Sequence, residues 1–143
     1  MDITLKNLQT KIPILPTRIK KLVLQTFRHL RVSRAELSVV FVTPQRMKSL
    51  NARHLSHNYT TDILTFDYRL SPKTKEIQAE IIICPAVAAQ NAATYDTTTS
   101  AEIELYLVHG ILHLLGYDDH SPKDITRMRK KEAEIVSFLR KKP

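Results

Sequence analysis

The chain reads as a small α/β (α+β) domain in which about four short strands are packed with about five helices. Two observations lead there. Short β-branched runs alternate with helical segments up to residue 84, and beyond it the pattern is helical alone. A length of 143 residues suits one domain with a proper core, and no repeat, low-complexity linker or second domain divides it, so residues 1–143 are expected to fold as one unit.

Each element has its own signal. Residues 2–6 alternate Asp2, Thr4 and Lys6 with Ile3 and Leu5, the period of a strand and not of a signal peptide. Thr17 is placed to cap a helix from about 18 to 31, with Ile19, Leu22, Val23, Phe27 and Leu30 on its inner face. Residues 36–42 are β-branched and apolar, a second strand. Thr43-Pro44 then opens a short helix carrying Met47 and Leu50, with proline at its first position. Residues 62–66 and 80–84 read as the third and fourth strands, the latter stopped by Pro85. An alanine-rich helix is expected from about 85 to 94. After the polar run Thr97-Thr98-Thr99-Ser100 comes a helix marked by Ile103, Tyr106, Leu107, Gly110, Ile111 and Leu114. Ser121-Pro122-Lys123-Asp124 has the order of a helix start, and Ile125, Met128, Ile135 and Leu139 give the last helix one apolar face.

Composition narrows the function classes. No stretch approaches the roughly 18 apolar residues of a membrane span. Cys84 is the single cysteine, so an internal disulfide is impossible; this agrees with a reducing cytoplasm, and the residue is expected to be an inert part of the core. The formal charge is +8, with a pI near 9.7, an excess that attracts polyanions. Basic residues gather at Arg18, Lys20, Lys21, Arg28 and Arg31, and again from Lys123 to Lys142. Without tryptophan or an aromatic-rich stacking signature, contact with a nucleic acid would rest on charge and backbone. Phosphate-loop and dinucleotide glycine motifs are absent, as is a G-x-S-x-G nucleophile elbow.

The segment from His109 to His120 contains three of the six histidines and both glycines, where average usage would spread about ten glycines over the chain. His109 and His113 are four apart, which on a helix stacks two imidazoles on one face about 5–6 Å apart at Cβ. Gly116 stands where that helix would end, suited to a left-handed conformation that turns the chain back. Asp118, Asp119 or His120 would then approach the same point. This pattern resembles H-E-x-x-H-x-x-G-x-x-H metal sites. Three protein ligands leave one position for water, whose pKa bound zinc brings to about 7. Position 110 is glycine, so the glutamate base of the zinc peptidases is missing. Ten residues beyond His109 stands Asp119, and His120 is one further; register favours Asp119 as third ligand and ligand type favours His120. Asp118 is a candidate general base and equally a candidate turn cap.

Three blocks together resemble the YbeY family of bacterial endoribonucleases and rRNA maturation factors. His109 to Asp118 resembles its H-G-x-L-H-L-x-G-Y-D-H signature. Leu50-Asn51 followed by residues 61–66 is similar to its L-N and T-D-V-L-S-F, and residues 80–85 to its G-D-I-V-I-C strand. The resemblance implies a mixed four-stranded sheet and one zinc ion at His109, His113 and Asp119, with His120 the alternative. It implies hydrolysis of single-stranded RNA, action on the 3′ end of the 16S rRNA precursor, and a place in small-subunit ribosome maturation and quality control. The family's Tyr-Arg after Leu-Asn, whose arginine is thought to serve catalysis or RNA contact, is here His54-Leu55, leaving Arg53, His57 and Arg69 as replacement RNA contacts. The rival class is an RNA-binding ribosome assembly factor with a structural metal, which Leu55 favours; a zinc peptidase is a third reading.

Overall fold

The computed structural model describes residues 1–54, 63–69 and 76–141. Along them run β1 (Asp2–Asn7), α1 (Pro16–His29), β2 (Ala35–Phe41), α2 (Pro44–His54), β3 (Ile63–Asp67), β4 (Ile77–Ile83), α3 (Pro85–Tyr95), α4 (Thr99–Leu114) and α5 (Pro122–Lys141). The expected mixed four-stranded sheet with five helices is what forms.

The strand order is β1-β2-β4-β3. β1 and β4 both pair parallel to β2, while β3 returns antiparallel to β4 at the far edge. Alternation along the strands sorts their side chains between two faces. Leu37, Val39, Phe41, Ala79, Ile81 and Ile83 meet Val23 and Phe27 of α1 and Leu107 and Ile111 of α4 in the main core. Val40, Ile82 and Leu64 point the other way, against Met47 and Leu50 of α2. Cys84 is fully buried on this second face, as expected of a core cysteine. Val108 and Leu112 on another side of α4 pack against Met128 and Ile135 of α5, so α4 is enclosed by the sheet and by its neighbouring helices.

Two boundaries differ from expectation. α1 begins at Pro16, with Leu15 in the cap position and no side-chain cap, so Thr17 lies inside the helix and does not cap it. Proline at the first helical position lacks the N–H that a cap would satisfy and already has a helical φ. β4 begins at Ile77, three residues before the expected start. Ile77 is registered against Ala35, and Gln78 and Ala79 are drawn into the ladder by their partners on β2, a pairing that local propensity does not report. α3 likewise starts at a proline without a side-chain cap, whereas α2, α4 and α5 follow their caps: Thr43 Oγ1 accepts from Arg46 N–H at 3.2 Å, Thr98 Oγ1 from Ala101 N–H at 3.0 Å and Ser121 Oγ from Asp124 N–H at 3.1 Å.

Candidate metal centre

Gly110 sets how close α4 lies to the sheet. A Cβ there would stand 2.8 Å from Ile63 Cδ1, 3.2 Å from Ile81 Cδ1 and 3.3 Å from Thr65 Cγ2. The position that carries glutamate in the zinc peptidases therefore faces the sheet, with His109 beside it at the edge of the sheet, on a cleft that includes Ile63 of β3.

The end of α4 is a hydrogen-bonded turn. Gly116 N–H donates to the His113 carbonyl and Tyr117 N–H to the Leu112 carbonyl, both at 3.1 Å, with Gly116 at φ +97°. This is the paired 5→2 and 6→1 arrangement of a Schellman motif, and Tyr117 packs in the same apolar cluster as Leu112. The chain then doubles back through Asp118, Asp119 and His120, whose ligand atoms lie within 4.8 Å of one another. Asp118 Oδ1 accepts from Asp119 N–H at 2.8 Å and lies 3.2 Å from His120 Nε2. His120 is 81% exposed.

His109 is half-buried and its Nδ1 lies 2.5 Å from Oε2 of Glu132, a carboxylate on α5 that is only 12% exposed. Both residues line a cleft of about 350 Å³ between α4, the start of β3 and α5, together with Asp119 and Arg129 over an apolar floor that includes Ile63 and Met128. Asp119, of the two alternatives for third ligand, is the one on this cleft wall. His113, one turn beyond His109, is exposed. Neither helical histidine belongs to the three-residue group in the turn.

Glu132 is a polar site residue that the sequence reading passed over. It stands four residues after Met128 and three before Ile135, on the apolar stripe of α5, where a carboxylate has no place in a plain core-facing pattern. That break in the stripe was the available signal.

Arg69, one of the candidate RNA contacts, is bonded within the fold. Its Nε and Nη2 donate to the two carboxylate oxygens of Asp67 at 2.9 and 2.6 Å, and Nη2 also donates to the Leu114 carbonyl at 2.5 Å. The side chain is 6% exposed. Arg69 holds the Asp67 carboxyl below its ordinary value, and the nearby His113 adds a smaller push in the same direction. The Arg53 side chain, Leu55 and His57 lie outside the described residues.

The donor set fits a divalent transition metal. An imidazole whose Nδ1–H is given to a carboxylate has its lone pair on Nε2, the form in which histidine binds zinc, and a second imidazole and carboxylates stand within one helical turn or across the cleft.

Residues 4–140 match the family model described as Endoribonuclease YbeY. The chain belongs to that family. Among YbeY relatives, the Endoribonuclease YbeY of Chlamydia pneumoniae is 35% identical over 99% of this chain and 93% of its own length. That of Thermodesulfovibrio yellowstonii is 42% identical over 73% of this chain and 67% of its own. The match to the YbeY of Anaeromyxobacter dehalogenans, 39% identical, spans 53% of that relative. The solution structure of TM1509 from Thermotoga maritima shares the fold, with a TM-score of 0.63 at 24% identity, covering 99% of this chain and 93% of that one. Among the described residues of this YbeY chain, no helix is long and apolar enough to cross a membrane.

Proposed function

We propose that this chain is a zinc-dependent endoribonuclease that cleaves single-stranded RNA and acts in the cytoplasm on the 3′ end of the 16S rRNA precursor during small-subunit maturation. The observation that carries the reading is the cleft shared by His109, Asp119, Glu132 and Arg129 in a member of the endoribonuclease YbeY family.

His109, His113 and Asp119 would hold one zinc ion, with His120 the alternative to Asp119. His120 is turned to Asp118 and to solvent, which supports Asp119. Once bound, the ion would supply Lewis acidity toward a phosphodiester and an activated water. Arg129, exposed on the cleft wall, is suited to hold a phosphate of the strand. The basic residues exposed on α1 and α5 would add non-specific attraction for the RNA backbone. Asp118, the candidate base, has one carboxylate oxygen engaged by the turn and by His120, which favours its capping role.

A second reading, an RNA-binding assembly factor with a structural metal, draws support from Leu55 in place of the family arginine. Cleavage of an end-labelled single-stranded RNA by wild type and by a folded His113→Ala variant, prepared identically, separates the two. Cleavage by wild type alone, lost with chelator and restored by zinc, is the expected result. Equal rates, or none from metal-loaded wild type, would overturn the nuclease reading and leave the binding one.

A further inference from the structure

We propose that Glu132 is the positioning residue for His109: by accepting the Nδ1 proton it holds the imidazole in the tautomer and orientation that present Nε2 to a metal ion. The inference rests on the metal reading above and goes beyond it, since it gives a residue on a different helix, 23 positions along the chain, control of the site's affinity.

The geometry is specific. Glu132 is a charged side chain almost withdrawn from water, on the face of α5 that carries Met128 and Ile135 into the core. Burying a carboxylate there costs free energy unless a partner compensates it, and the partner is His109 Nδ1 at 2.5 Å. An isolated ion pair serving stability would gain little at so buried a place, because desolvation offsets the attraction. A carboxylate that orients a histidine has a reason to be there. The Nδ1–H···carboxylate bond selects the Nε2 lone pair and raises its basicity, and losing such a partner typically costs about 10–100-fold in metal affinity. His113 is exposed at the surface, and the Asp67 carboxylate near it is gripped on both oxygens by Arg69, so the orienting burden falls on the His109–Glu132 pair.

The test is zinc binding by competition with a chromophoric chelator, on the full chain, for wild type, Glu132→Ala, Glu132→Gln and His109→Ala. Thermal melts of the metal-free proteins establish folding. Wild type is expected to bind one zinc ion and His109→Ala to lose that site. Glu132→Ala should bind about 10–100-fold more weakly. Glu132→Gln keeps an oxygen acceptor for Nδ1–H without the charge, and its loss should be smaller but measurable. The visible spectrum of the cobalt-loaded proteins gives a second readout, since a reoriented imidazole shifts the ligand-field bands whereas a purely structural role does not. If Glu132→Ala proves unfolded, Glu132→Gln alone decides. Wild-type affinity and an unshifted cobalt spectrum in a folded Glu132 variant would overturn the positioning role while leaving the metal site standing. Absence of zinc binding by wild type would instead overturn the metal reading itself.

Discussion

The Arg69 guanidinium grips the Asp67 carboxylate with Nε and Nη2 and donates from Nη2 to the Leu114 carbonyl at 2.5 Å, tying the end of β3 to the last turn of α4. Leu114 immediately follows His113, so this tie fixes the helix end from which the second imidazole projects. Arg69→Met keeps much of the side-chain volume but removes the donor to a helix carbonyl and, among the described residues, leaves the Asp67 carboxylate only the backbone N–H of residue 69. We expect a loss of about 1–3 kcal/mol, toward the lower part of that range because Asp67 is partly solvated. Urea unfolding at constant slope measures it. Arg69→Lys should recover only part, since an ammonium cannot reproduce the fork.

The same pair sets an acid limb. The hydrogen bond from Arg69 is the largest cause holding the Asp67 carboxyl below its ordinary value of 3.8. A depressed carboxylate contributes stability above its unfolded pKa and loses it as pH falls through the folded one. The stability difference between wild type and Asp67→Asn should therefore be constant near neutral pH and shrink once pH drops below 3.8. Urea midpoints across that range check it; a difference undiminished at the acid end would rule this origin out.

Gly110 is where α4 meets the sheet. The three contacts a Cβ would make are to side-chain termini of Ile63, Ile81 and Thr65, which give way individually but not together. Gly110→Val adds two further carbons in that direction. It should destabilise by about 1–3 kcal/mol through overpacking. Because the strain lifts the turn of helix that carries both histidines, zinc affinity should fall with it. A stable variant that binds zinc like wild type would show that the close approach is dispensable.

Gly116 carries the reversal at φ +97° with open space around its Cβ position. Gly116→Ala meets no clash, so any cost comes from backbone strain alone. About 1 kcal/mol is expected. Thermal unfolding measures that cost, and an unchanged midpoint would mean the turn relaxes into another conformation.

Much was legible because it is local. Helical period and capping oxygens mark α4 and α5, Pro85 stops β4, and the spacing of His109, His113 and Gly116 announces two imidazoles and a turn within one stretch of chain. Such signals depend on neighbours a few residues away, and secondary structure has a period that the sequence must match. The start of α1 was misplaced for a local reason too, since a proline ring competed with a threonine hydroxyl. β4 was drawn too short for a different reason: its first residues are strand because β2 pairs with them.

Local signals along the chain thus carry the element types, the nature of the core and the presence of a histidine turn of the YbeY kind. The tertiary structure decided which side chains meet. His109 and Glu132 are 23 positions apart, and Arg69 and Leu114 are 45 apart. No chain-local spacing relates either pair, because their approach depends on how α4, α5 and β3 pack. Arg69, named from the sequence as an RNA contact, is bonded to Asp67 and the Leu114 carbonyl, while Glu132, which the sequence did not single out, is held against a histidine. Burial and partnership are properties of packed elements, and they exist only once the helices and the sheet have closed on one another.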